Sequence, residues 1–241
     1  MKKTVAIIHY NTPELTEAAI KSLRKHGGKN YEVVVFDNSD ERPFKKRMKG
    51  VRVIDNTKGQ IIDFDKFLEE FPDREPRHAI SSNFGSAKHT RSVQEVWNII
   101  PDGFVLMESD VLIKKDISFL WMPEFAAAGR IQWKQKGNMY NIPRLLPYLC
   151  WLNVPLLKEN GAKYFDPTRS WALQKGEKTV GNWYDTGGAL LEDIIKTKPQ
   201  LVCKNVLDLW DYFEHYDGGS WHKNDLEEQK AWIDAHKDLW R

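Results

Sequence analysis

Short apolar runs alternate with amphipathic stretches along the first half of the chain. The runs are rich in β-branched and aromatic residues, and they predict strands at 5–9, 31–36, 51–54, 78–82 and 104–108. Apolar residues at helical spacing between them predict helices at 13–26, 61–71 and 85–100. Strands that alternate with helices in this way are typical of an α/β fold with a mostly parallel central sheet flanked by helices.

The second half of the chain has a less regular pattern. It predicts helices at 117–128, 185–196 and 224–240 and a short strand at 131–133. The apolar, aromatic-rich stretch 144–153 allows two interpretations, a buried core segment or a patch that faces lipid, and we favour the core segment. The sequence contains no obvious linker or repeat. We therefore expect a single domain over 1–241, with an irregular second half at 126–241.

Composition and charge exclude several classes of protein. The formal net charge is +2, which gives no general case for nucleic-acid binding, and the basic run 42–47 is interpreted as a solvated loop rather than a phosphate cradle. Cys150 and Cys203 lie in apolar contexts, which predicts free thiols rather than a disulfide or metal framework. The N-terminal pattern is not that of a signal peptide, and no run is long enough for a membrane span. We expect a cytoplasmic protein, with peripheral association at the inner membrane face as an alternative.

One apolar run ends in two carboxylates, Glu108 and Asp110, with Ser109 between them. Buried carboxylates are costly unless they are paired, hydrogen-bonded or bound to a metal ion. Two acids at the carboxyl end of a strand can hold a hard divalent cation that also binds phosphate oxygens. A solvated strand-to-loop corner is the alternative. A second acid-x-acid sequence at 63–65 lies inside a predicted amphipathic helix and is interpreted as a solvated face.

The motifs at the strand ends, in their order along the chain, resemble the family 2 glycosyltransferases of the GT-A fold. The motifs are Tyr10-Asn11-Thr12, Asp37-Asn38-Ser39, Asn83-Phe84-Gly85 at a helix start, and Glu108-Ser109-Asp110. The resemblance covers residues 3–125 and returns around 182–193. It implies a Rossmann-like GT-A domain that transfers a sugar from a nucleotide-sugar donor. Residues 1–125 would bind the nucleotide sugar, and residues 126–241 would bind the acceptor.

The same resemblance implies a nucleotide and metal site in the first half. Asp37 would accept a hydrogen bond from the base of a uridine- or thymidine-type nucleotide, and its alternative role is an Asx turn. The other residues implied for the nucleotide site are Tyr10, Asn11, Thr12, Asn38, Lys88, Arg91 and Glu108. Asp110 would be the direct ligand of Mn2+ or Mg2+, which neutralises the diphosphate leaving group. His215 is a candidate further ligand, with His222 as its rival, and His89 stands where the family usually carries an asparagine.

An inverting transfer needs a carboxylate that takes the proton of the acceptor hydroxyl. The family often places this acid at a helix start after an aromatic turn, which implies Asp185, whose alternative role is a plain helix N-cap. The acidic pair Glu192-Asp193, inside the predicted helix, is the second candidate, with Asp193 as its catalytic member. Trp183 and Tyr184 would stack on the acceptor sugar, although packing would explain them as well.

Rival functions differ in what they require after the first strand. A nucleotidyltransferase or a dinucleotide-binding dehydrogenase needs a glycine-rich phosphate loop there, and residues 9–13 contain no glycine. A non-catalytic nucleotide-sugar or glycan-binding module stays open. The predicted function is a metal-dependent, inverting transfer from a UDP-type donor to a glycan or lipid-linked acceptor in polysaccharide assembly, with no nucleic-acid partner.

Overall fold

The computed structural model describes residues 3–28, 30–59, 69, 84–133, 143–166, 169, 173–175, 178–180, 184–216 and 225–241. Within these ranges the strands are β1 Lys3–His9, β2 Tyr31–Asp37, β3 Val51–Asp55, β4 Phe104–Glu108, β5 Val111–Ile113, β6 Ala127–Gln132, β7 Arg144–Leu152, β8 Leu173–Lys175, β9 Lys178–Val180, β10 Cys203–Asn205 and β11 Phe213–His215. The helices are α1 Pro13–His26, α2 Phe84–Ile99, α3 Val154–Glu159, α4 Gly188–Lys196, α5 Leu226–Ala235 and α6 Lys237–Trp240. Short 3-10 turns cover Ser118–Leu120 and Leu209–Tyr212.

Seven of the described strands form one sheet in the order β10-β6-β7-β4-β1-β2-β3. β1 runs parallel to β2 and β4, β2 runs parallel to β3, and β10 runs parallel to β6. β7 is antiparallel to both of its neighbours, β4 and β6. The sheet is mostly parallel, as predicted. Because the chain leaves β1 towards β2 and later returns to its other side as β4, the loops after β1 and β4 flank a topological switch point, where open α/β sheets bind ligands.

Successive residues of the central strands point to opposite faces of the sheet and enter two separate cores. On one face Leu106 of β4 belongs to the cluster that contains Trp97 of α2. On the other face Met107 belongs to the cluster that contains Leu23 of α1. All four side chains are fully buried. Burial on both faces explains why these strands are continuously apolar in sequence rather than alternating.

The predicted helix at 117–128 was wrong. Only Ser118–Leu120 forms a 3-10 turn, and strand β6 begins at Ala127. Pro123 cannot donate a helical hydrogen bond, and the residues from Ala127 onward pair with β7 and β10 instead. The strand predicted at 131–133 therefore begins earlier, at Ala127.

Two further boundaries in the second half differ from the prediction. The helix predicted from Asp185 begins at Gly188, because its N-cap Gly187 has a left-handed backbone with φ of 79°. The single helix predicted at 224–240 is two helices, α5 and α6, because His236 between them leaves helical geometry.

The stretch 144–153 is largely strand β7, and Leu145, Leu149 and Leu152 are fully buried. The core interpretation is therefore confirmed over the lipid-facing one. The predicted elements at 61–71 and 78–82 lie, apart from residue 69, outside the described residues. No helix in the described part of the chain has the length and hydrophobicity needed to cross a membrane.

Candidate functional site

The acidic corner lies at the switch point of the sheet. Glu108 is the last residue of β4, and Asp110 follows Ser109 in the turn to β5. The Ser109 hydroxyl lies 3.2 Å from the hydroxyl of Thr12. Thr12 is the N-cap of α1, but its side chain makes no capping hydrogen bond to the helix. The contact instead joins the loop after β1 to the loop after β4.

His215 reaches the same corner from the C-terminal part of the chain. It ends β11, which pairs with β5 so that His215 lies opposite Val111. The backbone N–H of Tyr216 donates to the carbonyl oxygen of Asp110 at 2.9 Å. The His215 Nε2 atom lies 3.6 Å from Glu108 Oε2 and 3.6 Å from Asp110 Oδ1. One ligand atom from each of the three residues lies within 4.8 Å of the other two.

The electrostatics of this cluster favour a positive charge. Burial would lower the pKa of His215, but the adjacent carboxylates of Asp110 and Glu108 outweigh it and raise the pKa to about 10. Asp110 is 4% exposed, and its buried Oδ1 atom has no hydrogen-bond partner within the described ranges. The ring of Tyr148 packs 4.1 Å from that of His215, measured between centroids. The cluster therefore brings together two carboxylates and one imidazole. One of the carboxylate oxygens, Asp110 Oδ1, is a buried acceptor that can bind a cation.

His89 of α2 lies on the other side of Glu108. Its Nε2 atom is 3.7 Å from Glu108 Oε1, and neither ring nitrogen has a hydrogen bond to the residues that the structure describes. Burial lowers the pKa of His89, while the charges of Glu108, Asp110 and Asp185 act in the opposite direction. The charges of all three carboxylates therefore act on this one imidazole.

The loops after β1 and β2 meet around Asp40. Its carboxylate accepts hydrogen bonds from the Tyr10 hydroxyl at 2.7 Å and from the Asn11 side-chain amide at 2.6 Å. The Lys88 ammonium of α2 lies 5.3 Å from the centroid of the Tyr10 ring. Burial would raise the pKa of Asp40, but these two hydrogen bonds and the charge of Lys88 outweigh it and lower the pKa. Asp40 is exposed, so it is a preorganised carboxylate at the carboxyl end of the sheet strands.

Asp37 has a different environment. Its Oδ1 atom accepts the backbone N–H of Ser39 at 3.1 Å, and its Oδ2 atom accepts the N–H of Phe44 at 2.7 Å. The Asx turn that was the alternative interpretation is thus present, and Asp37 is 2% exposed. The neighbouring Asn38 accepts a hydrogen bond from the Asn56 side chain at 2.8 Å. Both residues hold the loop after β2, and their predicted contacts with a nucleotide stay predictions.

Asp185 lies just before α4 and faces the first residue of β7. Its Oδ2 atom forms an ion pair with Arg144, and its Oδ1 atom accepts the N–H of Thr186 at 2.7 Å. The Nε atom of Arg144 donates to Gln132 of β6 at 2.6 Å. Two sheet strands therefore fix the orientation of the Asp185 carboxylate.

Asp193 belongs to a separate ionic cluster on α4. The Arg169 guanidinium donates to Asp193 and to Glu192, each at 2.8 Å. The Asp193 carboxylate also accepts the backbone N–H of Lys163 at 3.0 Å. The Tyr184 hydroxyl donates to Glu192 at 2.9 Å, so this cluster holds the segment before α4 against the helix.

The remaining predicted residues are less informative. Arg91 pairs with Glu95 at 2.7 Å, and its guanidinium carbon lies 5.6 Å from the centroid of the Phe165 ring. Trp183 and His222 lie outside the described residues.

Three residues of this region were not predicted as site residues. Asp40 could have been found, because it lies in the polar stretch directly after β2, and an Asx turn at Asp37 would leave Asp40 as the next carboxylate able to contact a ligand. Arg144 and Arg169 gave no sequence signal, since an arginine becomes a partner of a carboxylate only once distant elements pack together.

Comparison with known proteins gives the fold. No family model and no curated protein matches the sequence. The galactosyltransferase LgtC, in complex with donor and acceptor sugar analogues, matches with 10% identity and a TM-score of 0.54, over 98% of this chain and 94% of its own. Mouse xyloside xylosyltransferase 1 matches with 10% identity and a TM-score of 0.53, over 86% of this chain and 85% of its own. The glycosyltransferase GlyE of Streptococcus pneumoniae TIGR4 matches over 88% of this chain with 13% identity and a TM-score of 0.46, and the chain spans 46% of its length.

The two matches with TM-scores above 0.5 have the GT-A fold, and this chain shares it. The predicted fold class is therefore confirmed. Membership of family 2 stays a prediction.

Proposed function

We propose that the protein is a metal-dependent glycosyltransferase that moves a sugar from a nucleotide-sugar donor to a sugar acceptor. The observation that carries this proposal is the cluster of Glu108, Asp110 and His215 at the carboxyl end of β4. The cluster lies at the switch point of the sheet, where open α/β sheets bind ligands. The fold shared with LgtC, which was solved with donor and acceptor sugar analogues, supports the same function.

The three clustered residues fit a divalent cation. Carboxylates suit Mg2+ and Mn2+, whereas an imidazole nitrogen favours a transition metal, so we propose Mn2+. The buried Asp110 Oδ1 atom supports this assignment, because a buried acceptor that makes no hydrogen bond within the described residues is costly. When bound, the ion would supply the positive charge that stabilises a diphosphate leaving group.

The nucleoside end of the donor site is formed by Tyr10, Asn11, Asp40 and Lys88 in this proposal. The exposed Asp40 carboxylate is the candidate acceptor for a ribose hydroxyl or a ring N–H of the base, in place of Asp37. A uracil base offers such an N–H, which keeps a UDP-type donor as our preferred choice.

The metal end and the nucleoside end are joined by two connections. The contact between Thr12 and Ser109 joins the loops that carry them. Helix α2 carries Lys88 over the Tyr10 ring and His89 beside Glu108. Consecutive residues of one helix therefore reach both ends, which supports a single ligand that extends from a nucleoside to a metal-bound diphosphate.

Asp185 is our candidate for the base that takes the acceptor proton in an inverting transfer. Arg144 holds its carboxylate in one orientation, and its charge acts on His89 beside the metal cluster. Asp193 is a weaker candidate, because Arg169 and the Lys163 backbone already engage its carboxylate. A glycan or lipid-linked sugar as acceptor, and a role in polysaccharide assembly, rest on the sequence resemblance alone.

Titration calorimetry of UDP with and without Mn2+ tests the metal site. Asp110→Asn and His215→Ala should each weaken Mn2+-dependent UDP binding by at least about tenfold, since the first removes the negative charge of a ligand and the second removes the imidazole ligand itself. Asp208→Asn, an exposed acid near the start of the second 3-10 turn, is the matched control and should bind as the wild type does. If no nucleotide binds with any divalent ion, or if the control loses as much as the site variants, the proposed function is wrong.

Turnover separates an enzyme from a binding module. UDP-, GDP- and dTDP-sugars are incubated with Mn2+ and candidate acceptors, and nucleotide release is measured. Asp185→Asn should lose turnover while it keeps UDP binding, and NMR of the product should give an inverted anomeric configuration. Binding without hydrolysis or transfer of any donor would favour the non-catalytic module. A retained configuration would exclude Asp185 as the base of a single displacement.

A further inference from the structure

Positive charge is concentrated in the segment that joins β2 to the edge strand β3. Six of the 36 lysine and arginine residues lie between positions 42 and 52, and no aspartate or glutamate does. The whole chain has a formal net charge of +2, so the remaining residues are net negative. The charge of the protein is therefore polarised towards one edge of the sheet.

This segment forms a groove with β3, which we call the basic groove (residues 44–53). Its volume is about 440 Å³, and its apolar lining residues are Phe44, Met48, Val51 and Val53. Phe44 is buried in the core against β2, and its N–H donates to Asp37, which fixes one end of the segment. Val53 is 38% exposed. The groove is thus a built surface with an accessible apolar floor.

The rim of the basic groove carries positive charges that have no ion-pair partner among the residues that the structure describes. Lys45, Arg47 and Lys49 are exposed, and no carboxylate in the described part of the chain pairs with them. The nearby Glu17 pairs with Lys46 at 2.6 Å and with Lys21 at 2.9 Å, so its charge is already shared. Uncompensated charges of one sign attract a ligand of the opposite sign.

Helix α1 adds to the positive field of the rim. The Arg24 guanidinium donates to the carbonyl oxygen of Lys49, which holds the far end of the segment and brings a further positive charge beside it. Both ends of the segment are therefore fixed, and the basic side chains lie on a defined backbone.

We propose that the basic groove docks the protein on an anionic membrane surface. The lysine and arginine side chains of the rim bind the phosphates of lipid headgroups, and Val53 and Met48 face the boundary between headgroups and acyl chains. Each basic residue near an anionic bilayer is attracted to its surface. The apolar floor of the groove can also be buried against the bilayer, which a small soluble anion does not allow. A nucleic acid fits less well, because single strands stack on exposed aromatic rings, and the aromatic ring of the groove, Phe44, is buried.

Vesicle sedimentation tests this proposal. Vesicles with equal amounts of phosphatidylglycerol and phosphatidylcholine should bind the protein, and phosphatidylcholine vesicles should not. The double variant Lys45→Glu/Arg47→Glu should lower the partition coefficient by at least about tenfold. The control Lys198→Glu/Lys204→Glu changes the net charge equally beside β10, at the opposite edge of the sheet, and should still bind. Lys45→Arg/Arg47→Lys should also bind, and wild-type binding should weaken as salt rises.

Several outcomes would overturn docking on a membrane. These are equal binding to neutral vesicles, no binding to anionic vesicles, and an equal loss in both charge-reversal variants. Complete competition by millimolar inorganic phosphate would identify a small-anion site instead. Binding of a single-stranded oligonucleotide by a protein that ignores vesicles would identify a nucleic-acid surface. None of these results bears on the proposed glycosyltransferase activity, which the UDP titration tests separately.

Discussion

Gly187→Ala is expected to destabilise the protein and to displace Asp185. Gly187 has a φ of 79°, and a Cβ atom on it would lie 2.0 Å from the carbonyl oxygen of Leu145. That oxygen belongs to the backbone of β7 and cannot rotate away as a side chain could. The Leu145 N–H also donates to the carbonyl oxygen of Gly187 at 3.4 Å, so the two backbones are already in contact.

The size of the effect follows from two contributions. A left-handed backbone costs a residue with a Cβ atom about 1–2 kcal/mol. Forcing that atom against a fixed backbone oxygen adds about 1–3 kcal/mol of overpacking. Gly187→Ala should therefore lower the free energy of unfolding by about 2–5 kcal/mol, which corresponds to a fall in Tm of roughly 4–20 °C for a chain of this size.

Gly161→Ala is the matched control. Gly161 also has a positive φ, of 70°, but no heavy atom lies within 4 Å of the position of its Cβ. This variant should lose only the backbone contribution, about 1–2 kcal/mol. Urea denaturation measures both variants, with the slope expected to stay constant. If the two variants lose equal stability, the close approach between Gly187 and β7 is not a constraint and the reasoning is refuted.

Three further predictions concern buried groups. Burial lowers the pKa of His9 below its ordinary 6.5 despite the opposing charge of Asp37, so the unfolded chain binds the proton at a higher pH than the folded one. The free energy of unfolding should therefore fall as pH drops below about 6.5. Urea denaturation at several pH values should show a flatter pH dependence for His9→Gln. Ser22→Ala should lower the free energy of unfolding by about 1–3 kcal/mol, because the Ser22 hydroxyl accepts the N–H of Ile113 at 2.9 Å. An unchanged midpoint in urea denaturation would contradict this. Leu106→Ala should lower the free energy of unfolding by about 2–5 kcal/mol, whereas Leu207→Ala, at a site 70% exposed, should change it by less than about 0.5 kcal/mol. Equal losses of stability in the two variants would contradict the assigned core.

The first half of the fold could be predicted because local pattern and tertiary role agree there. β1, β2 and β4 are buried on both faces, so their sequences are continuously apolar and bounded by polar turns. The second half does not have this agreement. Strand β6 begins with two alanines and a glycine, which have little strand preference, and it forms because β7 and β10 lie on either side of it.

The candidate site was predictable to the extent that its residues follow strands. Glu108 and Asp110 end a recognisable strand, so their position at the sheet edge follows from the sequence. The choice between Asp37 and Asp40 does not, because it depends on which backbone N–H groups the loop turns towards each carboxylate. Likewise, the pairing of Arg144 with Asp185 exists only because β7 runs antiparallel to its neighbours.

The candidate metal cluster of Glu108, Asp110 and His215 depends on a short strand pairing far along the chain from β4. His215 faces Glu108 and Asp110 because β11 pairs with β5 in a register that sets Phe213 opposite Ile113. A slip of one residue would turn His215 to the other face of this two-stranded sheet. Phe213 and Ile113 are both buried in the same core cluster, which opposes such a slip. Apolar packing of Phe213 and Ile113, two and three residues from His215 and Asp110, thus fixes the position of the imidazole, and the geometry of the cluster is a consequence of how the core is filled.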